Sequence, residues 1–265
     1  MNKSVLEKAI TIAEACADAA HRTVAPYFRT PLQADAKMDD SPVTIADRAA
    51  EKAMRTIIEN AFPEHAILGE EGGRSGSESE WQWVLDPIDG TRAFLTGRLS
   101  FGSLISLFHQ GKPVLGIIDQ PVTNERWIGV KDEPTRFISD VLPGHIGTRT
   151  SLDLSYAELS CTSPDIMSPE ELLRFNNLKK VVRRTSWGGD CYAYGLLALG
   201  QIDIIAESSM KPWDWAALVP IIEGAGGRMT NWQGEPLDLN NNDGTVLAVG
   251  NPQLMPEIIK HLSAR

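Results

Sequence analysis

The stretch "WVLDPIDGTRAF", Trp83 to Phe94, runs an apolar strand pattern into two aspartates three apart and then into Gly-Thr. Asp86 and Asp89 repel each other if they pack side by side with no cation between them. Pro87 stiffens the turn that joins them, so both carboxylates are expected to face one point. Gly90 and Thr91 begin a new segment whose free backbone N–H groups can hold phosphate oxygens, and the Thr91 hydroxyl can orient a water.

Further acids stand at similar element boundaries. Glu70 and Glu71 follow the strand pattern "AILG", Asp214 lies in the first turn of "PWDWAALVPIIEGAGG", and Asp47 lies near the start of "SPVTIADRAAEKAMRTIIENAF". Hard divalent cations take oxygen ligands, and Mg²⁺ keeps several waters while binding a few carboxylates and a substrate phosphate. Two such ions a few ångströms apart can activate water and stabilise a leaving oxygen.

Each acid also has a plainer explanation. Asp47 follows Thr44 at capping-box spacing, and Asp214 can serve the dipole of its own first turn. Glu70-Glu71 can be a solvated loop edge, and a D-x-x-D pair alone is a weak signal. An EF-hand is excluded, because its alternating acids and terminal Glu are missing. Zinc is disfavoured: His21, His65, His109, His145 and His261 are dispersed, with no H-E-x-x-H spacing.

A net charge of −10 with no long basic run speaks against a broad nucleic-acid face. It does not exclude a phosphate substrate, since bound divalent ions invert the local field. The 265 residues, 42% hydrophobic, suffice for one large domain or two modest ones with a sizeable core. Three scattered cysteines, Cys16, Cys161 and Cys191, without a C-x-x-C pair, fit a reducing cytoplasm. Glu7, Lys8, Glu14 and Asp18 interrupt the apolar residues of the first twenty positions. That pattern predicts a surface helix and neither a signal peptide nor a membrane span.

Helical spacing runs from about Ser4 to Phe28, and again from Thr44, a candidate cap, to just before Pro63. From His65 the texture changes to strands: "AILGEE", "WQWVLD", "FGSLISLFHQ", "PVLGIID" and "ERWIGV", mostly spaced for antiparallel pairing. "GGRSGSESE", Gly72 to Glu80, reads as a polar surface loop. After about residue 145 strands and helices alternate. "AELSCTS", "KKVVRRTS" and "IDIIAES" are read as strands, and "SPEELLRFNNL" and "GGDCYAYGLLALG" as helices. A helix opens at Pro212, kinked at Pro220, and "GRMTNW", "TVLAVG" and a helix over Pro256–Leu262 close the chain. This divides the chain into an N-terminal α+β half, 1–145, and a C-terminal α/β half, 146–265.

"GEEGG", "WVLDPIDGTRAF" and "KPWDWAALVPIIEGAGG", in that order, resemble the inositol monophosphatase superfamily over nearly the whole chain. The resemblance implies the layered αβαβα sandwich of the inositol monophosphatase / fructose-1,6-bisphosphatase type. It also implies a Mg²⁺-dependent phosphatase that commonly forms a homodimer and acts on a small-molecule phosphate ester. Carried over residue by residue, it makes Glu70, Asp86, Asp89 and Asp214, with the carbonyl of Ile88, the metal ligands. Glu70 and Asp86 would hold one ion, and Asp86, Asp89 and Asp214 the second. Lys37 through Asp47 matches the family's K…S-P-V-T-x-A-D region, where Asp47 would support a third, weaker ion. Thr91 and Glu70 would hold the attacking water, and the Gly90 and Thr91 amides would meet the phosphate.

"DQPVTNERWIG", Asp119 to Gly129, and "WGGDCYAYGLLALG" look like the histidinol-phosphate phosphatase branch. By the family's layout Gly189, Asp190 and Glu207, together with Asp89 and Asp214, line the pocket beyond the phosphate. A carboxylate there suits a cationic amine or imidazole, since opposite charges attract in a partly dry pocket. Asp190 is equally explained as a helix N-cap or first-turn residue after Gly188-Gly189. L-Histidinol phosphate is therefore the expected substrate. Inositol 1-phosphate and broader sugar phosphates or nucleotide 3′-phosphates are alternatives within the class, and a catalytically silent phosphate-ligand-binding module is the alternative outside it.

Overall fold

Helices α1 (Lys3–Val24) and α2 (Ile45–Ala61) open the computed structural model, which describes residues 3–31, 35–36, 42–150, 153–240 and 243–263. A two-residue ladder, β1 (Asp35–Ala36) with β2 (Pro42–Val43), lies between them. Lys37, first residue of the K…S-P-V-T-x-A-D match, lies outside the described residues. Thr44 caps α2 as its spacing predicts: its side chain accepts from the Ala46 and Asp47 amides while Asp47 accepts from the Thr44 amide. Such a cap stabilises a helix by about 1 kcal/mol.

The next segment comprises β3 (Ala66–Gly69), β4 (Gly73–Ser75), β5 (Trp81–Asp89), α3 (Thr91–Leu95), β6 (Gly102–His109), β7 (Lys112–Gln120), β8 (Glu125–Val130) and β9 (Arg136–Ser139). Its strands form a seven-stranded sheet in the order β4-β3-β5-β6-β7-β8-β9. The remainder comprises β10 (Glu158–Cys161), α4 (Pro169–Lys179), β11 (Arg184–Trp187), α5 (Asp190–Ala198), β12 (Ile204–Glu207), α6 (Pro212–Trp215), α7 (Leu218–Gly224), β13 (Arg228–Thr230), β14 (Val246–Val249) and α8 (Met255–Ser263). Its strands make a five-stranded sheet ordered β11-β10-β12-β14-β13.

Period-two alternation sorts the strand residues into layers. Trp83, Leu85, Ile105, Leu107, Ile117 and Ile128 pack under α1 and α2. Val84, Leu104, Phe108, Ile118 and Trp127 face the other way, onto α5 and α7 between the sheets. In the small sheet Ile205, Val246 and Ala248 turn to that middle layer, whereas Leu159, Ile204, Ala206 and Leu247 turn outward under α4 and α8. Both sheets are thus covered on both faces, which gives the expected αβαβα sandwich and explains the nearly continuous apolar run of β6. Each large side chain so buried contributes roughly 1.5–3 kcal/mol.

Several local expectations are corrected. Part of "GGRSGSESE" is strand β4, which pairs antiparallel with β3, because the turn at Glu70–Gly72 folds the chain back on itself. The pairing of β3 with β5 is parallel. Lys179 ends α4, so only the last three residues of "KKVVRRTS" are strand, which continues to Trp187. The helix from Pro212 does not kink at Pro220 but breaks at Ala216–Ala217 into α6 and α7. A proline ring collides with the carbonyl four residues earlier, which here belongs to Ala216, so the break falls one turn upstream.

Candidate active site

Residues three apart in a regular strand point to opposite faces, yet one oxygen from each of Asp86, Asp89 and Asp214 lies within 4.8 Å of the others. A bulge makes this possible. Asp86 pairs with Leu104 and Asp89 with Gly102, so β5 spends one more residue than β6 over the same span. That extra residue reverses the facing of the residues after it. Pro87 has no N–H to lose there, and its carbonyl accepts from Ser103 Oγ at 2.7 Å. The Ile88 amide donates to Asp86 Oδ1 at 3.0 Å, and Thr91 Oγ1 donates to the Ile88 carbonyl at 3.1 Å.

Asp214 reaches the same point along a trough in the large sheet. Gly116 and Gly129 are cross-strand partners on β7 and β8. A Cβ on Gly116 would lie 1.9 Å from the Ala217 carbonyl oxygen, and one on Gly129 would lie 2.3 Å from the Ile221 nitrogen. Two missing side chains therefore let the backbone from Ala217 to Ile221 rest on the sheet, which sets α6 and Asp214 just upstream. Asp214 Oδ2 accepts from the Lys211 amide at 2.7 Å.

Glu70 continues β3, its amide donating to the Leu85 carbonyl at 3.1 Å. Burial raises the Asp86 carboxyl well above the usual carboxylate range, and the nearby charges of Glu70, Asp89 and Asp214 raise it further. Burial likewise raises Asp89, with Asp190 and Asp214 adding to it, although the Cys191 amide donates to Asp89 Oδ2 at 2.7 Å. Asp47 is wholly buried. Its Oδ2 serves the cap, its Oδ1 has no hydrogen-bond partner among the described residues, and its carboxyl is raised by burial and, more weakly, by Glu70.

Asp89 and Asp214 line a cleft of about 500 Å³, together with Gly90, Thr91, Arg98, Thr162, Asp190 and Glu207 among others. Asp190 is the first residue of α5 and not its cap; its Oδ2 accepts from Ser100 Oγ at 2.6 Å. Gly189 is the cap, packed against Ala193 and Ser160, and it is Gly188 that meets the cleft. Glu207, at the end of β12, is less open than the sequence suggests. Both its oxygens are engaged, Oε1 by the Thr162 amide and hydroxyl at 2.9 Å and Oε2 by Cys161 Sγ at 3.5 Å. Burial pushes its carboxyl up to about 7 despite the Thr162 bonds. Trp187 lies away from the cleft, against Phe175 and Lys179.

A profile of the inositol monophosphatase family matches residues 5–265. The chain belongs to the inositol monophosphatase family. The bifunctional phosphatase IMPL2, chloroplastic, of Arabidopsis thaliana is 46% identical over 89% of this chain and 67% of its own. A histidinol-phosphatase of Mycobacterium tuberculosis is 34% identical over 88% and 89%. A solved inositol monophosphatase from Zymomonas mobilis superposes with a TM-score of 0.87 at 48% identity, covering 97% and 98% of the two chains.

In this family member one residue that sequence reasoning missed is Glu51, buried on α2 one turn after Asp47. Its carboxylate accepts from the Glu71 and Gly72 amides at 2.7 and 2.8 Å and from Arg55 Nε at 2.7 Å. Arg55 in turn donates to Ser75 Oγ and the Gly73 carbonyl. The Glu70 turn is thereby clamped to α2. Gly69 is required beneath the clamp, since its Cβ would lie 2.3 Å from Glu51 Oε1. The signal was the i, i+4 Glu-Arg pair, which a solvated helix face shows equally often.

Proposed function

We propose that this phosphatase is a Mg²⁺-dependent phosphate monoesterase that cleaves L-histidinol phosphate to L-histidinol and phosphate, a reaction of histidine biosynthesis. The observation that carries the substrate is Asp190, a carboxylate on the cleft wall beside Asp89 where a cationic amine or imidazole would be attracted. The acid set supports the cation. Converging carboxylate oxygens, a carbonyl and an unpartnered buried oxygen on Asp47 are hard donors whose mutual repulsion a divalent ion removes.

Glu70, Asp86 and the Ile88 carbonyl would hold one ion, Asp86, Asp89 and Asp214 a second, and Asp47 would support a third. Bound there, the ions would supply Lewis acidity at the phosphoryl group and charge neutralisation at the leaving oxygen. Thr91 and Glu70 would position the attacking water and draw its proton, and the Gly90 and Thr91 amides would receive the phosphate oxygens. Asp190 would orient the amine-bearing end, with Glu207 holding the Cys161–Thr162 turn that faces it. No helix among the described residues is long and apolar enough to cross a membrane. Our reading includes a cytoplasmic homodimer, which sedimentation checks.

Likeness to the Zymomonas mobilis inositol monophosphatase favours a second substrate, inositol 1-phosphate. Phosphate release from the two esters, with Mg²⁺ or EDTA, decides between them in wild type, Asp86→Asn and Asp190→Asn. A preference for histidinol phosphate that Asp190→Asn abolishes supports the reading. A preference for inositol 1-phosphate keeps the metal site and sinks the substrate. Ligand binding without metal-dependent release from either ester would mark a silent binding module.

A further inference from the structure

Asp190 occupies the sparsely populated left-handed region, with φ at +42°, which aspartate tolerates better than most residues, and its neighbours restrain it there. The restraint comes from two directions. From one side Ser100 Oγ donates to Asp190 Oδ2 at 2.6 Å, and the Ser100 carbonyl accepts from the Tyr192 amide at 3.4 Å. The loop carrying Ser100 is itself tied down where the Leu99 carbonyl accepts from Gln120 Nε2 at 3.1 Å. From the other side α5 is held two residues past Asp190, where Tyr192 Oη donates to Glu125 Oε2 at 2.6 Å.

Both anchors belong to one hairpin end. Gln120 and Glu125 are directly opposed in the β7–β8 ladder, and both are buried. Gln120 Oε1 accepts from the Val122 and Thr123 amides at 2.6 and 2.9 Å, which closes the hairpin. Next to it Asp119 accepts from Arg126 Nε at 2.7 Å and sits 3.2 Å from His21 Nδ1, while Arg126 reaches Asp18 at 2.8 Å. The hairpin is therefore fixed to α1. None of residues 119–126 lines the cleft.

We propose that this hairpin is a bracket in which Gln120 and Glu125 set substrate selectivity by holding Asp190 from both sides, without touching substrate. "DQPVTNER" then has a physical role: it is the remote support of the carboxylate that reads the amine. The inference rests on the reading that Asp190 meets a cationic group, and Gln120, Glu125 and Tyr192 are positioning residues acting through it.

The test compares kcat/KM for L-histidinol phosphate with that for an amine-free ester, 4-nitrophenyl phosphate, in the Mg²⁺-loaded full chain. Tyr192→Phe removes the hydroxyl and is expected to lower the ratio of the two about ten-fold, mainly through KM, because the contact with the amine is made in ground and transition states alike. Glu125→Gln keeps an acceptor for that hydroxyl and is expected to hold the ratio within about two-fold of wild type. An unchanged ratio in Tyr192→Phe, or equal losses on both esters with a lowered melting temperature, overturns the bracket. Asp190→Asn separates the two levels. If it lowers the ratio while Tyr192→Phe does not, the bracket alone falls; if it leaves the ratio unchanged, the histidinol-phosphate reading falls and takes the bracket with it.

Discussion

Asp86 and Asp89 are three residues apart along β5, but their ladder partners Leu104 and Gly102 are only two apart. This one-residue mismatch turns two carboxylates that would sit on opposite faces toward one point, where Asp214 joins them. The protein thereby maintains a repulsive arrangement whose charge burial alone would suppress.

A divalent ion should therefore stabilise the fold as well as serve the reaction. Mg²⁺ at a hundred times its dissociation constant stabilises by about 2.7 kcal/mol. For a chain of this size that corresponds to roughly 5–10 °C in melting temperature. Asp86→Asn should abolish most of this rise in a thermal melt and lower phosphate release by more than about a hundred-fold. A full Mg²⁺-dependent rise in the variant would remove Asp86 from the site.

The Glu51 clamp predicts a different signature. Glu51→Gln weakens the acceptor for two backbone amides and an arginine, so the Glu70 turn loosens. The expected result is a roughly 10–100-fold loss of kcat or of apparent Mg²⁺ affinity, as for other supports of metal ligands. Titration of activity against Mg²⁺ checks it; a lowered melting temperature with an unchanged half-saturating Mg²⁺ would reduce Glu51 to a structural role.

Gly116→Ala tests the trough. The new methyl meets the Ala217 backbone, which cannot move aside as a flexible side chain would. Overpacking of this kind costs about 1–3 kcal/mol, and the displaced α6 should carry Asp214 out of register. Melting temperature and turnover should fall together, whereas Gly111→Ala, which strains a left-handed position outside the trough, should lower the melting temperature and leave turnover intact.

Glu207 governs a pH dependence of stability. Its folded carboxyl is raised from 4.5 to about 7, chiefly by burial, so the folded state binds the proton more tightly than the unfolded chain. The stability tied to this proton is full below about pH 4.5 and is lost as pH rises through 7; a shift of this size corresponds to something of the order of 3 kcal/mol. Melting curves of wild type minus Glu207→Gln across that window should fall with rising pH. A flat difference would refute the shift.

Much of the site was legible because its acids mark element boundaries. Asp86 and Asp89 end β5, Glu70 follows β3 and Asp214 opens α6, and each boundary is announced by Gly or Pro nearby. The capping spacing of Thr44 and Asp47 was equally plain, but only the folded chain shows that one Asp47 oxygen caps while the other has no partner among the described residues. Glu207 was recognised as a cleft residue, but not its engagement by Cys161 and Thr162, which lie some 45 positions away in the chain.

The sequence by itself determined the kinds of element and, through the family resemblance, the layers; strands such as β6, apolar along nearly their whole length, do not declare which face packs where. It also determined the family, through "GEEGG", "WVLDPIDGTRAF" and "KPWDWAALVPIIEGAGG" in order. The tertiary structure decided what depends on register and close approach: the bulge that turns Asp89 toward Asp86, and the cross-strand glycines that seat α7. It likewise decided the Glu51 clamp and the Gln120–Glu125 grip on Asp190. These are contacts between residues far apart in the chain, set by a one-residue offset or a missing methyl, and no local propensity encodes them.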